Sequence, residues 1–282
     1  MHIGVTMFAT DRAIGPADLA REAEARGFHS LYFPEHTHIP VSRKTPPPTG
    51  DPELPEEYKR TLDPFVALGA AASATSSILL GTGICLVAQR DPIQTAKSVA
   101  SIDQISKGRF LFGVGNGWNQ DEMENHGTDF KARHKIARER IEAMKAIWTK
   151  SKPEYAGEFV KFGPMMTWPK PVQKPHPPVL VGGAFPYAAK RAVQYGDGWM
   201  PHRARPQYEN VRDFLPKFAG MLKEAGRDPA SAPVTIWGAK DADMLKRDRD
   251  AGVVRVIVSL ESDEAAAILP ELDRWAKVMQ SV

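Results

Sequence analysis

The chain has 282 residues, and its 37 Lys and Arg side chains nearly balance 34 Asp and Glu, which argues against a nucleic-acid partner. No apolar run approaches the roughly 18 residues that a membrane span requires, and the first residues lack the pattern of a secretion signal. Cys85 is the only cysteine, so a disulfide framework and a thiolate metal cluster are excluded. We therefore expect a cytoplasmic protein.

Strand and helix patterns alternate along the whole chain. Apolar runs predict eight strands at residues 3–8, 28–33, 78–85, 109–114, 179–181, 198–200, 234–237 and 253–260. Helical spacing follows each strand, at residues 16–26, 64–74, 93–102, 130–148, 187–195, 207–225, 241–251 and 265–278. Gly27 and Gly108 are placed to end the first and third of these helices in a left-handed conformation.

Eight strand–helix units close into a barrel more readily than they fill an open sheet. The predicted fold is therefore a single (β/α)8 TIM barrel over residues 1–282, with an open doubly wound sheet as the alternative. Two insertions interrupt the alternation, at about 40–61 and 150–178. The first contains three consecutive prolines and is typical of a lid or a disordered segment, and the second is proline-rich and predicts a β-hairpin followed by an extended arm. Residues 116–129 are predicted to be a loop.

In a parallel barrel, ligands bind beyond the carboxyl ends of the strands. Glycines, histidines and tryptophans cluster at these ends, which favours a flat-ring ligand, although any single glycine more often only ends a strand. Gly113, Gly115 and Gly117 are a weak dinucleotide motif, because a loop and not a helix is predicted to follow them. Gly182 and Gly183 suit a phosphate better, since the helix at 187–195 begins directly after them and its free amides could hold an anion.

His36 follows the second strand beside Glu35. An imidazole exchanges protons near neutral pH, which suits chemistry in which a hydride and a proton move together. The alternative is a histidine that only packs or hydrogen-bonds, and the position at a strand end favours a functional role. His36 and His38 lack an obvious third ligand and HExxH-type spacing, so no metal site is predicted.

Three blocks of sequence resemble the luciferase-like monooxygenase superfamily. They are GTGICLVAQRDPIQTAKSVASIDQISKGRFLFGVGNGWNQDE, PEHTHIP and PPVLVGGAFPYAAKRAVQYGDGWMP, and the resemblance extends over essentially the whole chain. The short length and the EHTHIP block are most similar to the deazaflavin-dependent oxidoreductases, which use coenzyme F420.

The resemblance implies a TIM barrel, usually a homodimer, with the deazaflavin ring at the barrel mouth. It implies a cis peptide bond between Gly83 and Ile84 that supports the ring, phosphate contacts from Gly182, Gly183 and Ala184, and His36 as the catalytic or ring-edge histidine. In related sugar-phosphate dehydrogenases a glutamate acts as an acid where this sequence has Asn116. Asparagine cannot exchange a proton, so that chemistry and that substrate are not expected here.

We accordingly predict His36 as catalytic and a substrate pocket formed by His38, Trp118 and His202. The predicted cofactor-binding residues are Gly83, Ile84, Cys85, Gly115, Asn116, Gly182, Gly183, Ala184 and Phe185. Five cations are placed to attract an acidic cofactor tail, although each is individually more typical of a solvated surface charge: Arg43, Lys44, Arg90, Arg203 and Arg205.

The leading hypothesis is an F420-dependent oxidoreductase that transfers a hydride between the deazaflavin C5 and a small organic substrate. Two alternatives stay open. One is an FMN-dependent two-component monooxygenase, and the other is a flavin- or deazaflavin-binding protein without turnover, which Asn116 would suit. No membrane or nucleic-acid partner is expected in any of the three.

Overall fold

The computed structural model describes residues 1–47, 53–203 and 211–282, which form a (β/α)8 barrel. Its strands in chain order are β1 His2–Thr6, β2 Ser30–Phe33, β3 Leu79–Thr82, β4 Cys85–Leu86, β5 Phe110–Gly115, β6 Tyr155–Ala156, β7 Lys161–Phe162, β8 Val179–Gly182, β9 Gly198–Met200, β10 Thr235–Trp237 and β11 Arg255–Ser259. Eight of them are the parallel barrel staves, in the order β10-β11-β1-β2-β3-β5-β8-β9. Parallel bridges from Trp199 to Val234 and from His202 to Trp237 close the circle. The predicted fold is confirmed.

Ten α-helices lie among the described residues. They are α1 Pro16–Ala25, α2 Glu57–Arg60, α3 Pro64–Ala74, α4 Pro92–Ile105, α5 Gln120–Asn125, α6 Arg133–Thr149, α7 Tyr187–Tyr195, α8 Leu215–Glu224, α9 Ala242–Asp250 and α10 Ala265–Met279. Aspartates set several starting points: Asp63 accepts hydrogen bonds from the first amides of α3, and Asp91 does the same for α4, each directly before a proline. Gly27 and Gly108 have φ values of 79° and 85° and follow the ends of α1 and α4, as predicted.

Three sequence-based boundaries require correction. The predicted loop at residues 116–129 contains α5, whose first turn is capped by the Asn119 side chain. The predicted third strand is split into β3 and β4 at the Gly83–Ile84 peptide, which is cis. The start of the helix predicted at 207–225 lies partly outside the described residues, and the described part is a 3-10 turn at Val211–Phe214 followed by α8.

The two insertions follow the sequence-based expectation in part. In the second, β6 and β7 form the expected antiparallel hairpin, and an extended arm with cis bonds before Pro169 and Pro175 follows. In the first, residues 48–52 lie outside the described residues, while α2 is a helix that the pattern did not predict. No helix among the described residues is long and apolar enough to cross a membrane.

Side-chain alternation divides the core into two layers. The larger layer lies between the strands and the helices. A smaller layer fills the inside of the barrel and consists of Tyr32, Leu111, Leu180, Met200, Trp237 and Ile257. Because these side chains fill the middle of the barrel, a ligand can bind only at one of its two ends.

Candidate active site at the carboxyl-terminal rim

A buried histidine–carboxylate pair lies at the carboxyl-terminal rim of the barrel. His36 follows β2, Glu122 lies in the first turn of α5, and His36 Nδ1 is 2.8 Å from Glu122 Oε2. The two side chains are 7% and 1% exposed. An ionised carboxylate can only accept hydrogen bonds, so Nδ1 carries the proton in this pair. The other ring nitrogen, Nε2, is then the one that can exchange a proton with a ligand.

Glu122 is ionised despite its burial. Burial acts to raise its pKa, but hydrogen bonds from His36, Gln89 and Thr37 outweigh that effect and lower the pKa. Gln89 Nε2 donates to Glu122 Oε1 over 3.1 Å, and the Thr37 amide donates to the same oxygen over 3.2 Å. This arrangement fixes both the carboxylate and the orientation of the imidazole.

Aromatic rings surround His36. The Tyr58 ring centroid is 5.2 Å from that of His36, and the Trp118 ring meets it edge-on at 5.9 Å. Tyr58 comes from α2, in the first insertion, and also packs on Phe8 at 4.7 Å. The described part of this insertion therefore reaches over the rim and covers one side of the imidazole.

Sequence reasoning missed Glu122, Gln89 and Tyr58 as site residues. One signal was available in the sequence. An asparagine followed by a glutamate three residues later, as at Asn119 and Glu122, is typical of the start of a helix. That spacing predicts α5, but it does not indicate that Glu122 turns towards a histidine 86 positions earlier in the chain.

The Gly83–Ile84 segment lies across the mouth of the barrel. Its peptide bond is cis, as the family resemblance implied. A Cβ atom on Gly115 would lie 2.1 Å from Ile84 Cδ1, and one on Gly182 would lie 3.1 Å from Ile84 Cγ2. The structure thus brings together four of the predicted cofactor residues, from the β3–β4 connection, β5 and β8; Gly83, Ile84 and Gly182 are half-buried and Gly115 is buried.

Glu35 anchors the segment that follows. Its carboxylate accepts from the Leu86 amide over 2.6 Å and from Arg90 Nε, while Arg90 Nη2 donates to Asp63 over 2.5 Å. Burial alone would lower the pKa of Arg90, but the two carboxylates raise it instead. The Cys85 thiol is fully buried beside Glu35, and burial raises its pKa well above the usual value, so the thiol does not face the mouth.

The turn between β8 and α7 differs in one respect from its prediction as a phosphate site. Gly182 pairs with Met200 in the sheet, and the Gly183 amide donates to the Met200 carbonyl over 3.3 Å. Among the described residues, no group accepts from the amides of Ala184 and Phe185. These two amides, and not those of the glycines, are available to an anion.

Gly183 itself shapes this turn. Its φ of +125° is a conformation that L-residues rarely adopt, and a Cβ atom there would lie 3.1 Å from the Cβ of Ala188. The same position is 3.5 Å from Arg191 Nη2, and the Trp199 indole donates to the Gly183 carbonyl over 2.9 Å.

Basic groups converge near this turn. Burial, followed by Arg133 and Arg191, lowers the pKa of His134 to about 4, and burial and Arg191 lower the pKa of Arg133. His134 is therefore neutral near pH 7, and its Nδ1 accepts from Asn116 Nδ2 over 2.5 Å. The Arg191 guanidinium thus lies at the turn, and that of Arg133 is near enough to Arg191 for the two positive charges to repel each other.

Most of the five predicted tail-binding cations already have partners. Lys44 pairs with Glu124, Arg90 with Glu35 and Asp63, and Arg203 with Asp248 through both carboxylate oxygens. Arg43 also makes an interaction, and Arg205 lies outside the described residues. Arg133 and Arg191 were not predicted, and Arg191 also makes an interaction.

The predicted pocket histidines lie apart from each other. His38 Nδ1 is 2.9 Å from Thr37 Oγ1, and Asn125 Nδ2 is 2.9 Å from His38 Nε2, so both ring nitrogens are engaged near α5. The His202 ring stacks on Trp237, with centroids 6.3 Å apart. Of the three predicted pocket residues, Trp118 is the one in contact with His36.

A comparison of the sequence with models of known protein families shows which family the chain belongs to. The family model for luciferase-like monooxygenases matches residues 13–240. The chain belongs to this family. An uncharacterised protein of Mycobacterium tuberculosis (strain ATCC 25618 / H37Rv) is 44% identical over 282 residues, covering 96% of this chain and 97% of the relative.

Two further proteins that this chain is similar to have descriptive names. The F420-dependent hydroxymycolic acid dehydrogenase of M. tuberculosis is 28% identical over 227 residues, which are 79% of this chain and 57% of that protein. The solved structure of an F420-dependent secondary alcohol dehydrogenase, in complex with an F420–acetone adduct, superposes with a TM-score of 0.76 at 20% identity and covers 99% of this chain and 98% of its own. At that identity the structural match supports the fold alone.

Proposed function

We propose that the protein is an F420-dependent oxidoreductase that transfers a hydride between the deazaflavin and a small organic substrate, with His36 as the proton donor or acceptor. The observation that carries this proposal is the buried His36–Glu122 pair at the rim, 2.8 Å across, beside the cis Gly83–Ile84 segment. A site that combines a proton-exchanging group with a flat, glycine-lined surface suits hydride transfer coupled to proton transfer.

The described residues fit the proposed coenzyme. The amides of Ala184 and Phe185 and the guanidinium groups of Arg133 and Arg191 would hold its phosphate. Ile84, backed by Gly115 and Gly182, would support the face of its ring. When bound, F420 supplies the ring carbon that accepts or donates the hydride.

The chain itself would contribute proton transfer and exclusion of water. Glu122 holds Nδ1 of His36, so Nε2 gives a proton to the substrate oxygen, or takes one from it, as charge develops there. Glu122 also stabilises the imidazolium that forms when Nε2 takes a proton. Tyr58 and Trp118 limit the access of water to the imidazole.

A second proposal is a flavin-dependent monooxygenase supplied with reduced FMN by a separate reductase. The family to which the chain belongs is named for monooxygenases. The homodimer and the cytoplasmic location suggested by the sequence stay predictions under both proposals.

Fluorescence titration of the purified protein with F420 and with FMN separates the two proposals. We expect micromolar binding of F420 and much weaker binding of FMN. Binding of FMN alone, with oxygen consumption when reduced FMN is supplied, would replace the first proposal by the second. Binding of either cofactor without turnover across a broad panel of alcohols, ketones and aldehydes would indicate a carrier or sensor protein.

Replacement of His36 tests its role within the leading proposal. The His36→Ala variant should lose about 10²- to 10⁴-fold in turnover, the usual contribution of a general acid or base, while its affinity for F420 changes less than about threefold. Equal losses in turnover and affinity would make His36 a cofactor-binding residue.

A further inference from the structure

His134 is an exposed histidine whose ring is held at one nitrogen only. It is the second residue of α6, and its Nδ1 accepts from Asn116 Nδ2 over 2.5 Å. A neutral imidazole carries one proton, so Nε2 is the nitrogen that bears it. Within the part of the chain that the structure describes, Nε2 makes no hydrogen bond, and the ring is exposed enough for a ligand to reach it.

The partner of His134 lies beside the turn between β8 and α7. The strands β5 and β8 are parallel, with Val114 opposite Val181. Continuing this register by two residues brings Asn116 level with Gly183, at the usual strand spacing of about 4.8 Å. Through Asn116, the imidazole is therefore held at the edge of the turn that carries the two available amides.

The charged surroundings of His134 are positive. Arg133 precedes it on α6, and Arg191 Nη2, from α7, lies 3.5 Å from the position of a Cβ atom on Gly183. Partial burial, followed by these two guanidinium groups, lowers the pKa of His134 to about 4. The contact from the end of β5, Asn116, is uncharged, and no carboxylate of the described residues acts on the ring. The field at this edge of the turn favours an anion.

We propose that His134 is a further ligand of an anion bound at this turn, donating a hydrogen bond from Nε2, and that Asn116 positions its ring. The inference rests on the proposed function, in which the anion is the phosphate of the cofactor. Asn116 cannot exchange a proton, and it acts here only through its amide donor, which keeps the proton of the neutral ring on Nε2.

Binding of the anion should also change the protonation of His134. An opposite charge within about 4 to 6 Å shifts a pKa by about 1 to 3 towards the charged form, and for an exposed ring we expect about 1 to 2. The bound state then carries more protons than the free state, so the affinity rises as the pH falls. A pKa that rises from about 4 to about 5 or 6 increases the affinity about 2- to 10-fold between pH 8 and pH 5.

Nuclear magnetic resonance of the histidine rings tests this contact in the full chain. The probe is inorganic sulfate, which has the tetrahedral shape of phosphate and stays divalent over the whole titration. The signals of His134 are assigned by their loss in His134→Gln. We expect the proton of the neutral ring on Nε2, and a pKa that rises by about 1 to 2 when sulfate is added. His176, just before β8 at the other end of the barrel, is the internal control, because burial also lowers its pKa and sulfate should not change it.

The same spectra separate this inference from the proposed function. If sulfate shifts the amide signals of Ala184 and Phe185 but leaves the pKa of His134 unchanged, the inference is overturned and the anion site stands. If sulfate changes none of these signals, both the inference and the phosphate site are overturned. If sulfate changes all of them but F420 does not bind, His134 is an anion ligand and the proposed cofactor is wrong.

The affinity for the cofactor provides a second test. His134→Gln keeps an N–H donor but cannot take up a proton. Its Kd for F420 should be roughly equal to that of the wild type at pH 8 and about 2- to 10-fold higher at pH 5. Because the two proteins are compared at each pH, any titration of the cofactor itself cancels. Equal Kd values at both pH values would contradict the contact between His134 and the anion.

Asn116→Ala tests the positioning role. Without the amide donor, the neutral ring of His134 should populate both tautomers, which its nitrogen chemical shifts distinguish, and sulfate should bind more weakly. A ring that keeps its proton on Nε2 alone, together with an unchanged affinity for sulfate, would show that Asn116 does not position it.

Discussion

The ion pair between Glu35 and Arg90 provides the most direct test of how the rim is held. The Glu35 side chain is 1% exposed and that of Arg90 is 18% exposed. The Glu35→Gln substitution keeps the size of the side chain and an oxygen for the Leu86 amide, but it removes the charge that Arg90 faces. Breaking a buried pair from one side costs about 3 to 5 kcal/mol. Because Arg90 keeps Asp63, we expect the lower end, about 3 kcal/mol.

In a protein of this size, about 3 kcal/mol corresponds to a melting temperature roughly 6 °C lower. Calorimetry of the cofactor-free protein measures this shift. The control is Glu56→Gln, the same substitution in an exposed pair with Lys59, which should change the melting temperature by less than about 1 °C. Adding Arg90→Met to Glu35→Gln should restore part of the loss, because no unpaired buried charge then remains and Asp63, which loses Arg90, is 41% exposed.

A Glu35→Gln protein that melts within about 1 °C of the wild type would refute this reasoning. It would mean that water or Asp63 compensates Arg90 fully. The Glu35–Arg90 contact would then not be what holds the segment from Gly83 to Leu86 at the mouth.

Three further predictions concern the two ends of the barrel. Glu122→Gln removes the charged partner of His36 and with it a charge-assisted hydrogen bond worth about 1.5 to 3 kcal/mol. Turnover should therefore fall about 10- to 150-fold, while the cofactor affinity measured by titration stays nearly unchanged. An unchanged turnover rate would exclude a role for Glu122. Gly183→Ala should weaken F420 binding more than tenfold because it forces the turn to move, whereas Gly226→Ala, at another glycine with positive φ, should leave the Kd unchanged. The pKa of His29 is lowered from 6.5 to about 4, so the folded state prefers the neutral ring, and the stability this contributes is complete above pH 6.5 and is lost as the pH falls towards 4. Urea unfolding at fixed chloride measures the free energy of unfolding at pH 7 and at pH 5. Because His29 is partly exposed, we expect the decrease between the two pH values to be about 1 kcal/mol larger for the wild type than for His29→Asn. Equal decreases in the two proteins would contradict this prediction.

Much of the architecture could be predicted from local patterns. Alternation of apolar strands and amphipathic helices, with proline or aspartate at helix starts and glycine at helix ends, places all eight staves within a few residues of their observed positions. The rule that ligands bind beyond the strand ends then locates the rim. His36, Gly115, Gly182 and Gly183 were placed at the rim in this way, because each lies at or just after the end of an apolar run, and their role in a site stays a prediction.

Partners from distant parts of the chain could not be predicted. The sequence around Glu122 and around Arg133 is that of an ordinary solvent-exposed helix. Only the closing of the barrel brings Glu122 to His36 and Arg133 towards Arg191. The same holds for Lys44, Arg90 and Arg203, whose sequence context is that of free surface cations but which pair with carboxylates far away in the chain.

The sequence by itself determined the order of the strands and helices, the closed parallel barrel and the end at which we expect a ligand, because these depend on hydrophobic periodicity and on turn chemistry within a few residues. Only the tertiary structure decided which imidazole nitrogen is held, which amides remain available after the sheet is paired, and which cation lies beside the turn before α7. These properties depend on distances and burial between side chains that are far apart in the chain, and periodicity carries no information about them.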